Sequence, residues 1–340
     1  MRFLKLFCTV ATALLCAALC FNSSAASEVV RMLTYNTLCD SCAGDPWRFR
    51  WNGVVNVIRE KEPDIVALQE VSTRTLVQFG AEFRSEYYLA SQSHAPCDAT
   101  DQDFYNVILY KKTMFRQHVS EGSIVLPRVG SAPTGCAEQS NPFSETLIWG
   151  RLAFRVDLTI RDSGAAIHVY NVHYDHLHKG STNEEAAKQY RTYSSILIRD
   201  DIASLQTESL DATTVVLGDF NSIQVNTNLP DELKPLTEDS MLENPLDDAL
   251  CVNNASACVE GTFMSWYKPP RPIVTAKVDY ILSSHGRGCI TSSVLSGEWL
   301  EYDTPPIYIR ASNVHLDVSR SSGTFPSDHR AVFCVLPISD

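Results

Sequence analysis

The stretch that most constrains this chain is Thr213 to Gln224, TTVVLGDFNSIQ. Thr214 to Leu217 are apolar or β-branched and run into Gly218, Asp219, Phe220 and Asn221. A short apolar run closed by glycine predicts a buried strand that stops abruptly. Such a strand delivers a carboxylate and a carboxamide, two residues apart, at its C-terminal edge. That edge is where open α/β sheets bind ligands. Gly-Asp-Phe-Asn is also ordinary turn chemistry, so its meaning depends on what other stretches bring beside it.

In chain order, Glu28–Asn36 alternates as a strand and ends on Asn36. Trp47–Lys61 carries helical spacing through Trp51, Val54, Val55 and Ile58, and Pro63 stops it. Asp64–Glu70 is a buried-strand pattern ending in Gln69-Glu70. This strand–helix–strand unit places Asn36 and Glu70 at the ends of neighbouring strands. A lone Glu70 would be a solvated strand-end charge.

Ser72–Glu86 predicts a second helix with Ser72 as its N-cap. Strands follow at Tyr87–Ala90 and Tyr105–Lys111, with a polar loop between them and a Pro/Gly/Ser-rich loop at Pro127–Ser144. Leu147–Ile160 and Ala166–Tyr174 form a hairpin turning at Asp162-Ser163-Gly164. Arg151 lies inside the first of these strands. A buried arginine needs an anionic partner, so Arg151 is either a structural ion pair or a phosphate contact. The second strand runs into Asn171-Val172-His173-Tyr174-Asp175-His176. With His178 this makes a histidine cluster that suits a mixed site better than a histidine-only zinc site. A helix at Glu184–Leu205 leads into the Gly-Asp-Phe-Asn strand.

Beyond it, Pro230–Leu250 is acidic and helical in patches, and Gly261–Trp266 and Ala276–Ser283 are strand-like. Asp279 falls inside the latter, where a charge is costly unless paired. Gly288–Arg310 is irregular. Ser327-Asp328-His329-Arg330 precedes a closing strand. No Gly-x-Ser-x-Gly elbow supplies a nucleophile, which discounts a serine hydrolase.

At 340 residues and 44% hydrophobic content, the chain has the composition of a globular protein with a large core. Arg2 and Lys5, an apolar run from Leu6 to Phe21, and small residues up to Ala26 have the layout of a signal peptide. We therefore expect residues 1–26 to be a signal peptide and 27–340 a single domain of a secreted protein. Removing the leader takes the formal charge from −12 to about −14 and leaves eight of the 11 cysteines, an even number suited to disulfides. Structural zinc is not expected, because Cys39 and Cys42 form a lone CxxC. Asn254-Ala255-Ser256 is a glycosylation sequon. No later run is long enough to span a membrane.

The ordered set of motifs resembles the endonuclease/exonuclease/phosphatase superfamily of DNase I-like enzymes. The matching stretches are TYN with Asn36, LQE with Glu70, GRLAF with Arg151 and NVHYDH with Asn171 and His173. GDFN with Asp219 and Asn221, KVDYIL with Asp279, and SDHRAV with Asp328 and His329 complete the set. The resemblance spans residues 29–336 and implies a four-layer α/β sandwich, two mixed β-sheets packed face to face with helices outside. It implies a metal-dependent phosphoesterase that uses Mg²⁺, or else Mn²⁺ or Ca²⁺. Asn36, Glu70, Asp219, Asn221 and Asp328 would be the metal-site residues. Asp219 and Asn221 would hold and deprotonate the attacking water. His173 and His329 would donate to phosphoryl oxygens, Asp279 would orient His329, and Arg151 and Asn171 would complete the catalytic set.

The substrate is less constrained. Nucleic-acid affinity depends on cationic side chains, and this acidic chain has no basic run, only a local Lys111-Lys112 and Arg116. The readings left open are a phosphodiesterase or phosphatase of small esters, a DNase I-like secreted nuclease and a sphingomyelinase-like lipid phosphodiesterase. A catalytically silent secreted binding protein is the non-enzymatic alternative. The expected partner is a phosphate-ester substrate, acted on by a monomer.

Overall fold

Two parallel strand pairs organise the molecule. β1 (Val29–Asn36) and β2 (Ile65–Ser72) run parallel with Asn36 opposite Gln69, and helix α1 (Trp47–Lys61) makes the crossover. β7 (Ala166–His173) and β8 (Thr213–Asp219) run parallel with His173 opposite Asp219. Helix α3 (Glu184–Glu208) makes the second crossover. Parallel strands covered on both faces need unbroken apolar runs, and every residue of β8 is buried.

These elements come from a computed structural model. It describes residues 28–40, 47–93, 104–117, 120–128, 148–176, 184–208, 211–224, 229–237, 242–243, 263–264, 275–284, 291–294, 298–300, 308–311, 314–317, 327, 329 and 331–338. Residues 1–26, Asn254, His178 and Asp328 lie outside this set, and with them the expected leader, the sequon and one expected metal ligand.

The other strands of the two main sheets, with one more helix, are α2 (Thr73–Phe83), β3 (Tyr87–Ser93), β4 (Phe104–Lys111), β5 (Ser120–Arg128), β6 (Ile148–Thr159), β9 (Leu242–Glu243), β10 (Asp279–Ser284), β11 (Thr291–Val294) and β12 (Val332–Pro337). Among the described residues, two six-stranded sheets form, in the orders β11-β12-β1-β2-β4-β3 and β5-β6-β7-β8-β10-β9. Both are mixed, because antiparallel neighbours flank each parallel pair.

Alternation along the strands gives each sheet two apolar faces. Met32, Ala67, Ile108, Phe154, Val169, Leu217 and Ile281 meet in one buried cluster between the sheets. Leu33, Val66 and Leu68 face outward beneath Trp47, Val54 and Ile58 of α1 and Phe79 of α2. Tyr170, Val172 and Val216 do the same beneath Ile198 and Ile202 of α3. The result is the expected four-layer α/β sandwich.

Several local expectations need correction. β5 carried no assignment in the sequence, and its last two residues, Pro127 and Arg128, fall where a loop was expected. It is an edge strand, where a proline costs no inner ladder bond. The Gly288–Arg310 stretch is not wholly irregular, since it holds β11 and strands at Glu298–Leu300 and Tyr308–Ala311. Ser72 does cap α2, accepting from Thr75 N–H at 3.3 Å. The hairpin turn also forms as expected, with Gly164 at φ +76° and its N–H donating to Ile160 O at 3.0 Å.

Candidate active site

Strand direction places the polar residues together. The C-terminal ends of both parallel pairs point to one side of the sandwich, bringing Asn36, Glu70, His173 and Asp219 there. β10 is antiparallel to β8 with Asp279 opposite Asp219, so it contributes through its N-terminal end. β12 is antiparallel to β1 with Val332 opposite Thr34, so His329 arrives just before that strand starts.

Three backbone devices set the site. β2 does not end at Glu70 as the pattern suggests. Its pairing with β4 shifts register between Leu68 and Val71, and Glu70 has φ +58°. A bulge of this kind re-aims a side chain that straight pleating would send into a sheet face. Asn221 is also left-handed, with φ +49°. Its N–H donates to Asp219 Oδ1 at 2.9 Å and its Nδ2 to Tyr174 O at 3.1 Å, which locks the turn after β8. Gly218 is required by close approach. It has φ +149°, and a Cβ there would fall 2.1 Å from Val172 O on the neighbouring strand.

Asp219 is the hub. Asn36 Nδ2 donates to Asp219 Oδ2 and to Glu70 Oε1, both at 3.0 Å. His173 Nε2 and His329 Nε2 lie 3.6 and 3.7 Å from Asp219 Oδ2, one from each side. His329 Nδ1 is 2.9 Å from Asp279 Oδ2, an imidazole–carboxylate pair that turns Nε2 toward Asp219. Asp219 is 1% exposed. Burial pushes its carboxyl up to about 7, opposed by the nearby His329 and reinforced by the Asp279 charge. Hydrogen bonds from Asn36 and from Asn221 N–H pull the other way.

The donor set fits a hard cation. Glu70 and Asp219 offer carboxylate oxygens, and the Glu70 side chain keeps 21% of its surface exposed, leaving room for the waters such a cation retains. Asp219, Asp279 and His329 also have ligand atoms within 4.8 Å of one another. Because Asp279 is committed to His329, that trio is better suited to holding protons than to holding an ion. Asn36 turns its Nδ2 toward both carboxylates and its Oδ1 toward Leu38 N–H, 3.0 Å away. Ligation through Oδ1 therefore requires the amide to turn over.

Two of the expected residues stand differently from the rest. Asn171 is not in the cluster. Its Nδ2 donates to Leu68 O and Val107 O at 2.9 Å, and its Oδ1 accepts from Gln69 Nε2 at 2.8 Å. These bonds fasten one sheet to the other. Arg151 is buried as expected, but its contacts are imidazoles. Nη1 lies 3.0 and 3.2 Å from the two ring nitrogens of His173, and Nη2 lies 3.0 Å from His176 Nδ1.

Arg50 escaped sequence reasoning. It is 1% exposed and donates to the carbonyls of Thr37, Leu38 and Cys39 at 2.8–2.9 Å. That clamp fixes the turn whose Leu38 N–H holds Asn36 and whose Cys39 N–H donates to Glu70 Oε2 at 3.1 Å. The available signal was an arginine three residues after Trp47, on the apolar face of α1. Two of the three residues of the local basic patch are engaged. Lys111 pairs with Asp64 at 3.1 Å, and Lys112 lies over the Tyr88 ring at 5.1 Å.

The profile of the endonuclease/exonuclease/phosphatase family matches residues 33–329. The chain belongs to that family. Its members are metal-dependent phosphoester hydrolases, and this member carries a buried Asp/His cluster where strands from both sheets converge.

Similar solved structures show the same fold at low identity. A family protein from Bacteroides thetaiotaomicron is 18% identical, with TM-score 0.63, covering 91% of this chain and 98% of its own. The mannosyl-6-phosphatase of the same organism is 18% identical, with TM-score 0.62, covering 90% and 99%. The human nocturnin catalytic domain, solved with bound sulfate, is 17% identical, with TM-score 0.58, covering 91% and 94%. A comparison with curated proteins found no match. Among the described residues, no helix is long and apolar enough to cross a membrane.

Proposed function

We propose that this family member is a secreted, Mg²⁺-dependent phosphoesterase that hydrolyses its ester by attack of a water held at Asp219. The observation that carries the reading is the position of Asp219, buried within 3.7 Å of Asn36, His173 and His329. A carboxylate whose pKa sits near 7 is matched to taking a proton at neutral pH.

In this reading Asp219 accepts a proton as the water oxygen bonds to phosphorus, and Asn221 keeps Asp219 and the following turn aligned. His173 and His329 donate from Nε2 to the phosphoryl oxygens as charge builds on them. Asp279 holds Nδ1–H of His329, so that Nε2 faces the phosphoryl group. The ester P–O bond breaks, and the leaving oxygen takes up a proton from solvent. Mg²⁺, or Mn²⁺ or Ca²⁺ in its place, would be held by Glu70 and Asn36. It would neutralise charge on the phosphoryl and leaving oxygens. Asp328 is a candidate further ligand.

Export is part of the proposal. The leader-like N-terminus and the even number of remaining cysteines support it. We take residues 27–340 as one domain acting as a monomer. The fold-level likeness to a mannosyl-6-phosphatase makes a small phosphate ester the first class to test. The engagement of Lys111 and Lys112 and the net charge weigh against nucleic acid. The test is hydrolysis by mature protein, with Mg²⁺ or EDTA, of p-nitrophenyl phosphate, sugar phosphates, bis-p-nitrophenyl phosphate, plasmid DNA, RNA and sphingomyelin. Metal-dependent turnover of a small ester is expected. Folded protein that turns over none of them would leave the silent binding protein standing.

A further inference from the structure

Arg151 is a fixed cation in an unusual position. Its residue is 9% exposed, and its guanidinium is met by two imidazoles rather than by a carboxylate. Among the described residues it forms no ion pair, and its Nε is buried with no hydrogen-bond partner. A buried guanidinium normally rests against an anion, because desolvating an unpaired charge is expensive. Here Nη1 is almost equidistant from both ring nitrogens of His173, so it lies across the ring rather than in line with one lone pair. On its other side Nη2 reaches His176, whose side chain is 63% exposed. The guanidinium therefore bridges from a histidine of the reacting centre to a histidine at the surface. His173 Nε2 is itself 3.6 Å from Asp219.

We infer that Arg151 and His176 form an oxyanion subsite beside the reacting centre, and that it takes the extra negative charge of a phosphate monoester dianion. The inference rests on the phosphoesterase reading and sharpens it to a substrate class. His173, His329 and a bound cation serve the phosphoryl oxygens of any phosphate ester. A monoester carries one more ionised oxygen than a diester, and a permanently charged fork is suited to such an oxygen. A diester presents a substituent at that oxygen and gains less. The inward end of the subsite is a strand residue of β6, paired with Leu126 of β5 and next to Leu152, where the pairing of β6 with β7 begins. The outward end can move with the exposed His176 ring. An arginine on a strand interior is a geometry that holds an anion in one place, as selectivity requires.

The experiment compares wild type, Arg151→Gln, Arg151→Lys and His176→Ala, each checked for folding by thermal melts. Hydrolysis of p-nitrophenyl phosphate and bis-p-nitrophenyl phosphate gives the monoester-to-diester ratio of kcat/KM. Binding of inorganic phosphate, followed by calorimetry in EDTA, gives a readout independent of turnover. A hydrogen bond to a charged group is commonly worth about a factor of ten to a hundred. Arg151→Gln should lower the ratio by about tenfold or more, mainly through the monoester arm, and weaken phosphate binding to match. Arg151→Lys should keep part of both, and His176→Ala should lose a smaller part of each.

Phosphate binding through Arg151 without hydrolysis of any ester would keep the subsite and refute the enzymatic reading. Hydrolysis with an unchanged ratio and unchanged phosphate affinity in folded Arg151→Gln would overturn the subsite and leave Arg151 as a brace. Should Arg151→Gln not fold, His176→Ala and Arg151→Lys decide. Wild-type ratio and phosphate affinity in both would overturn the inference.

Discussion

The two parallel pairs solve the same problem differently. At β1–β2 the polar residues are Asn36 and Glu70, presented by a bulge, with the Glu70 side chain 21% exposed. At β7–β8 they are His173 and Asp219, both about 1% exposed and flanked by His329 and Asp279. The first edge can share a cation with water. The second is sealed, so charge there is costly and a proton is held tightly. Asp219 belongs to the sealed edge yet accepts a hydrogen bond from Asn36 of the open one. The division of labour follows from burial: the open edge suits metal, and the dry edge suits proton transfer.

Removing the proton acceptor tests the sealed edge most severely. Asp219→Asn should lower hydrolysis by ~10²–10⁴-fold, and a Mg²⁺ titration should not restore it. Recovery at high Mg²⁺ would move Asp219 to the metal side of the comparison.

Gly218→Ala attacks the strand that carries Asp219. A Cβ 2.1 Å from the backbone of β7 cannot be relieved by moving a side chain. Loss on the order of 3 kcal/mol in urea unfolding is expected. A stable variant would mean the two strands separate more easily than their register implies.

Glu70→Gln probes the open edge. The Mg²⁺ concentration for half activity should rise by about tenfold or more, with activity partly regained in excess Mg²⁺. If this variant and Asp219→Asn respond to metal alike, the two edges do not divide the work.

Arg50→Lys should act on the open edge alone. One ammonium cannot span three carbonyls, so the turn at 37–39 loosens. The Mg²⁺ requirement should rise by about threefold, with KM for the ester unchanged. A change in KM with no change in metal requirement would place Arg50 elsewhere in the mechanism.

The last test is the pH dependence of stability in EDTA. The Asp219 carboxyl is raised to about 7 in the folded protein, from an ordinary value of 3.8. The folded state therefore keeps a proton that the unfolded chain loses over this window. Stability from this group is full below the lower value and is lost as pH rises through the upper one. Melts from pH 4 to 8 should show Asp219→Asn gaining on wild type by a few degrees toward pH 8. A constant gap would mean that Asp219 is ionised throughout.

What the sequence determined by itself was local and ordered. Apolar runs of strand length, the 3.6 period of α1 and the Ser72 cap are written in neighbouring residues. So is the succession from Asn36 through Glu70, His173 and Asp219 to His329, and together they were enough for the family and the layered fold. Tertiary structure decided whatever depends on residues far apart in sequence. The Glu70 bulge arises from pairing with β4, and Asn171 is claimed by carbonyls of the opposite sheet. Arg50 finds its partners in a turn that its own helix covers. Arg151 meets imidazoles where sequence alone would supply a carboxylate. Strand pattern fixes which face a side chain takes, but its partner depends on where other strands stop, and only packing the two sheets together sets that.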